Sequence, residues 1–214
     1  MPDEIFDIFD ASMRPLGSAP RDEVHAKGLW HRAVHVWIIS GEDEGAILLQ
    51  RRADDLRNNS GLFDISAAGH LTTGEGVEDG LREVEEELGI ALTIDKAHDL
   101  GWRTEVYDDH DRGYHNREFQ RVFMARMDVK LHDLTPCPTE VAGLYWLTLP
   151  DALDLFTGRV EDVPVEGVEN GPSGLTPTAV NLTQGDFVNR IDPYYLSIAL
   201  NARRYLDGER VLVM

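Results

Sequence analysis

The sequence predicts an α/β (α+β) sandwich with a mixed central sheet between helices, and three observations carry that expectation. Runs of β-branched and apolar residues recur between turn residues. Helical stretches are interspersed among these runs, so strands and helices share one body. With 42% hydrophobic residues, 214 positions are enough to bury the core of a single generous domain.

Each element follows from local chemistry. "EIFDIFD" and "RPLGSAP" read as short edge strands around the turn near Asp10-Ala11-Ser12, and "RDEVHAKG" as a helical turn closed by Gly28. "HRAVHVWIIS" and "AILLQRR" flank the turn residues "GEDEG" and predict a hairpin. The irregular "ADDLRNNSG" leads to the short strand "LFDISAAG". A helix is expected over Val77 to Leu88, capped by Gly89. Three strands follow, "LGWRTEVYD", "EFQRVFMARM" and "GLYWLTL", the first two split by the polar "DHDRGYHN". Pro150 starts the helix "PDALDLFTG", and "DPYYLSIALNARRYLDG" forms a final amphipathic helix. Residues 160–185, rich in Gly, Pro, Thr and acids, read as a long loop or insertion. The expected organisation is one domain over 1–214, with a core of about 25–157, an N-terminal edge segment 1–24 and a C-terminal loop and helix 158–214. Trp37, Trp102, Tyr107, Phe119 and Trp146 are expected in the core.

Charge excludes some partners. The formal charge of −19, from 39 acids against 20 bases, repels phosphate backbones and argues against nucleic-acid binding. No apolar run approaches the ~20 residues of a membrane span. The single cysteine, Cys137, fits a reducing compartment, so a cytoplasmic protein is expected.

The stretch from Gly69 to Ile90, "GHLTTGEGVEDGLREVEEELGI", concentrates acid in a helix. At about 100° per residue, Leu81, Val84 and Leu88 share a narrow arc, and Glu83, Glu86 and Glu87 are expected opposite it. Glu83 and Glu87 are an i,i+4 like-charge pair, and Arg82 reaches only Glu86 at i+4. Two fates fit this face: a solvated acidic surface, or carboxylate ligands for a hard divalent cation.

The run Gly69-HLTTG-Glu75 followed by Arg82-Glu83-Val84-Glu85-Glu86-Glu87-Leu88-Gly89-Ile90 resembles the Nudix box, G-x5-E-x7-R-E-U-x-E-E-x-G-U. One count departs: six residues separate Glu75 from Arg82, where the box has seven. A deletion inside the helix would rotate everything before it and spoil Leu81 packing, so it is placed around Gly74-Glu75-Gly76. That placement puts only the reach of Glu75 to Arg82 in question. The resemblance implies a Nudix fold and hydrolysis of a pyrophosphate bond in a nucleoside diphosphate-linked or related small molecule. It further implies Mg²⁺, or Mn²⁺ in its place, held by Glu83, Glu86, Glu87 and Glu118. Glu83, Glu87 and Glu118 form the expected catalytic set, with Glu118 or Glu87 taking the water's proton. Gly69, Glu75 and Arg82 support it. Arg51 and Arg52 end a strand near the site and have the fork geometry for phosphate, but only one can face it; His70 is the third substrate-binding candidate.

"HRAVHVWI", "ILLQRR" and "FDISAAGH" are similar to the isopentenyl diphosphate isomerase branch of the superfamily. That branch carries a cysteine where this chain has Ala68, and a methyl group exchanges no proton. The branch also binds a metal through histidines and a glutamate pair. Here His70 is in place, but His25 and His31 are separated by five residues against six expected, and the pair reads Asn116-Arg117-Glu118. These histidines read equally as ordinary polar residues near strand ends. Hydrolysis is therefore the leading expectation, with a non-catalytic diphosphate sensor or an isomerase-like enzyme as alternatives. The partner is a small-molecule diphosphate. Residues 158–214 lie outside the resemblance and could set substrate choice or a homodimer interface.

Overall fold

Alternating side chains on the two central strands set the layers of the computed structural model, which describes residues 4–172 and 174–214. Met1 to Asp3 and Ser173, parts of the expected N-terminal segment and 160–185 stretch, lie outside the described residues. β3 (His31–Ser40) sends Val34, Val36 and Ile38 to one face and Trp37 and Ile39 to the other. On the first face they meet Leu81, Val84 and Leu88 of the box region. On the second they meet Leu155, Tyr194, Ile198 and Ala202 from the helices α3 (Leu149–Phe156) and α4 (Tyr194–Leu206). The result is a sheet between helical layers, the expected α/β sandwich.

β1 (Ile5–Phe9) and β2 (Pro15–Pro20) form a separate hairpin, followed by α1 (Arg21–Lys27), whose end is turned by Gly28 at φ 62°. The main sheet contains β3, β4 (Ala46–Arg52), β5 (Phe63–Asp64), β6 (Ala67–His70), β7 (His98–Asp109), β8 (Tyr114–Arg126), β9 (Val141–Thr148), β10 (Asp162–Gly171) and β11 (Gly174–Thr183). Its order is β11-β10-β9-β4-β3-β8-β7, with β3 and β8 parallel. β3 and β4 pair only at Ile39–Ile47 and Ser40–Ala46, then diverge. β6 pairs with β3 and β5 with β4 along the divergence, which opens the sheet where the site lies. Among the described residues no helix is long and apolar enough to cross a membrane.

Three expectations are corrected. Residues 160–185 are mostly the hairpin β10–β11, which extends the sheet through pairing of β10 with β9. Val163 and Val165 alternate inward, while Pro177 sits on β11, an outer strand where a missing N–H is tolerated. The box helix α2 spans Arg82–Leu88, preceded by one 3₁₀ turn at Asp79–Leu81, and does not begin at Val77. Gly80 lets that turn lie against Val34 and Leu71, where a Cβ would collide. Trp102 and Tyr107 are exposed because β7 is the other outer strand.

Candidate active site

α2 presents its acids differently from a simple two-faced helix. Glu83 and Glu87 are buried beside Val84 and Leu88, and only Glu85 and Glu86 face solvent. At 100° per residue Glu87 lies some 60° from Val84, so it flanks the apolar arc and does not oppose it. Both buried carboxylates press on β6. A Cβ on Gly69 would overlap the Glu83 carboxylate, so this approach requires glycine. Glu87 Oε2 accepts from Gln50 Nε2 at 3.0 Å and from the Ala68 N–H at 3.3 Å.

Arg82 is the hub of this group. It lies 3.1 Å from Glu75, 3.0 Å from Glu83 and 3.5 Å from Glu86. Glu75 reaches it across the shortened loop, where Gly74 adopts φ 86° and the Thr72 N–H donates to Glu75 Oε2 at 2.7 Å. One guanidinium does not balance these acids. Burial, partly offset by Arg82 and reinforced by Glu86 and Glu140, pushes the Glu83 carboxyl up to about 7. Burial and the charges of Glu140 and Glu83 hold Glu87 well above the usual carboxylate range.

Glu118 belongs to a second group. Its register partner on β3 is His31, and the two side chains meet His70 from β6 and His25 from α1. One ligand atom from each of these four residues falls within 4.8 Å of the others, the single such group of three or more among the described residues. Glu83, Glu86 and Glu87 are not brought together with Glu118 in it. His70 Nε2 is 3.0 Å and His31 Nε2 3.6 Å from Glu118 Oε1. His25 Nδ1 and His31 Nδ1 face the carbonyls of Arg21 and Leu29 at 2.9 and 3.0 Å. Those bonds place the proton on Nδ1, leaving each Nε2 lone pair buried without a hydrogen-bond partner. Burial, with His70 and His31 close by, lowers His25 to about 4, and burial also lowers His70. Burial opposes ionisation of Glu118, yet His31 and His70 hold it well below its ordinary range. Imidazole nitrogens gathered around a carboxylate are the donor set a divalent ion takes. The five-residue spacing of His25 and His31 still brings their rings together, with centroids 5.0 Å apart, across the left-handed turn at Gly28.

The arginine pair divides as strand alternation requires. Arg51 is tied to Glu169, at 2.6 and 3.0 Å, and to Asp54 at 2.8 Å. Arg52, two positions from Gln50 and hence on its side of β4, bonds only the Asn58 carbonyl at 3.3 Å and has no carboxylate within 4.0 Å among the described residues. The sequence reading missed Gln50, Glu140 and Phe6. Gln50 was detectable as a lone amide inside the apolar "AILLQRR". Phe6, fully buried, stacks on His31 and His70 with ring centroids 5.4 and 4.8 Å away.

Residues 29–165 match the NUDIX domain. The chain is 30% identical over 197 residues to an uncharacterised Nudix hydrolase of Clostridium acetobutylicum, covering 91% of this chain and 95% of that protein. The chain belongs to the Nudix family. This Nudix hydrolase is thus a pyrophosphohydrolase of a class that depends on divalent metal. It is also 31% identical over 127 residues to an isopentenyl-diphosphate Delta-isomerase of Photorhabdus laumondii, covering 59% of this chain and 68% of that one. A crystal structure of a Deinococcus radiodurans protein shares the fold, with a TM-score of 0.52 at 22% identity over 72% of this chain and 90% of that one.

Proposed function

We propose that the protein hydrolyses the pyrophosphate bond of a nucleoside diphosphate-linked or related small molecule, using Mg²⁺ or Mn²⁺. The observation that carries this reading is the buried pair Glu83 and Glu87, desolvated against β6 with too little positive charge around it. Uncompensated buried carboxylates are costly, and a hard cation is the counter-charge that oxygen ligands select. Glu83, Glu86 and Glu87 would hold it, and bound there it supplies charge neutralisation and a more acidic water.

The chain's own residues do the rest. Arg82 fixes Glu83 while Glu75 fixes Arg82, and Gln50 orients Glu87. Arg52, free of carboxylates, takes a phosphate oxygen, with His70 beside the substrate; Arg51 is already neutralised and is the weaker of the two arginines. Glu87, oriented by Gln50 and the Ala68 N–H, accepts the water's proton on a carboxylate oxygen that the metal does not engage. Glu118, already held by two histidines, serves as a ligand in the imidazole group.

A second reading, isomerisation of isopentenyl diphosphate, is favoured by the gathering of His25, His31, His70 and Glu118. Ala68 weighs against it, because its methyl cannot move a proton at carbon. One assay separates the readings: a panel of nucleoside diphosphate-linked compounds and isopentenyl diphosphate, incubated with Mg²⁺ and followed for products. Phosphomonoester release is expected. Binding without turnover would mark a sensor, and a rearranged diphosphate with no bond cleaved would mark an isomerase.

A further inference from the structure

We infer that Gln120, Arg103 and Asp192 form a relay that positions Glu118, and that the segment joining β11 to α4 is thereby part of the site. The inference rests on the reading of Glu118 as a metal ligand.

The chain of contacts is directional. Gln120, completely buried on β8, donates through Nε2 to Glu118 Oε2, the oxygen that the histidines leave free. Its Oε1 accepts from Arg103 Nη1 on β7. Arg103 then grips Asp192 through two bonds, Nη2 to Oδ1 at 2.6 Å and Nε to Oδ2 at 3.3 Å. Its Nη2 also lies 2.7 Å from Glu105 Oε2, and its guanidinium stacks 4.2 Å over the Tyr194 ring.

Elementary donor and acceptor chemistry leaves the amide one orientation. Arginine only donates and an ionised carboxylate only accepts, so Gln120 must turn its oxygen to Arg103 and its NH₂ to Glu118. The bidentate Arg103–Asp192 contact fixes the guanidinium, which fixes the amide, which fixes the carboxylate plane. Glu118 Oε1 is then presented to His31 and His70 without freedom to rotate away. Asp192 lies beyond residues 29–165, so a segment outside the matched domain holds a ligand inside it. Such outer partners of a ligand are commonly worth 10- to 100-fold in metal affinity.

Mn²⁺ binding to the full-length protein, followed by electron paramagnetic resonance as the signal that carries nitrogen coupling from imidazole ligands, tests the relay, because the carboxylates of α2 supply no nitrogen. Gln120→Leu should weaken binding by about 10- to 100-fold, and Asp192→Asn should weaken it by a smaller factor that Asp192→Glu restores. In the Gln120→Leu background, Asp192→Asn should add nothing, because the relay is already cut. A folded Gln120→Leu protein with wild-type affinity overturns the relay alone, as do losses that multiply in the double variant. If Gln120→Leu does not fold, Asp192→Asn decides, and wild-type affinity there overturns the proposal. Wild-type protein that shows no nitrogen-coupled Mn²⁺ removes the metal reading of Glu118, and the relay with it.

Discussion

Glu75 Oε1 stands 3.1 Å from Arg82 Nη1, although the chain between them is one residue shorter than the box prescribes. The loop absorbs the loss at Gly74, and the Thr72 N–H fixes the other carboxylate oxygen. Glu75→Gln should leave the fold intact and lower kcat by about 10-fold, the usual cost of freeing a ligand's supporting partner. Steady-state kinetics with the preferred diphosphate measure it; an unchanged kcat would make the contact incidental.

Glu87→Gln keeps the shape of the side chain and removes its charge and basicity. A drop in kcat of at least ~100-fold is expected, as for loss of a general base, with a circular dichroism spectrum like that of the wild type. Full activity at unchanged Mg²⁺ demand would rule out both the basic and the ligand role.

Gly69→Ala should be costly although it adds one methyl. The Cβ would enter the space of the Glu83 carboxylate, so Glu83 must move, at about 1–3 kcal/mol by analogy with overpacked cores. Urea unfolding reads the stability, and a parallel loss of activity shows that Glu83 was displaced from its working position.

Asp64, the register partner of Gln50 on β5, provides a pH-dependent contribution to stability. It is buried, which would raise its pKa, but Arg190, with Arg52, outweighs burial and holds the carboxyl below its ordinary range. Arg190 Nη2 and the Tyr195 hydroxyl both donate to Asp64 Oδ1. A carboxyl depressed on folding contributes stability in full above its unfolded value of about 3.9, and that contribution drains away as pH falls through the lower folded value. Asp64→Asn should lose about 3–5 kcal/mol at pH 7, as for a broken buried pair, and its unfolding free energy should fall less steeply below pH 4 than that of the wild type. Parallel slopes from denaturant titrations across pH 2–7 would count against the pair.

The imidazole group should stabilise the fold when filled. Mn²⁺ or Zn²⁺ at 100 times its dissociation constant for this group should add about 2.7 kcal/mol by mass action, and His31→Ala should remove that part of the gain. Thermal unfolding with and without chelator is the measurement; an equal shift in the variant would place the ion elsewhere.

What was legible in the sequence followed strong local signals. β3 and β4 announced themselves through β-branched runs around "GEDEG", and Arg82 to Ile90 through the box. Glu83 and Glu87 were legible as residues but not as buried ones, because 100° steps put them at the margin of the apolar arc, where tertiary contact with Gly69 and Ala68 decides exposure. β10 was hidden by Pro164 and Gly167, whose turn chemistry masked the alternation of Val163 and Val165. The histidine group was hidden because its four members come from α1, β3, β6 and β8, and no single spacing along the chain encodes their meeting.

Phe6 lies flat over His31 and His70 and is wholly buried, while His70 keeps about 20% of its side chain in solvent. Among the described residues, His70 is the member of the imidazole group that keeps most contact with solvent, beneath a roof supplied by β1. Phe6 thus shields two of the imidazoles from bulk water, and exchange of an ion there should be slower than at a surface carboxylate. A titration read within minutes would then report how far exchange has advanced, so incubation time becomes a variable to control before any dissociation constant is assigned.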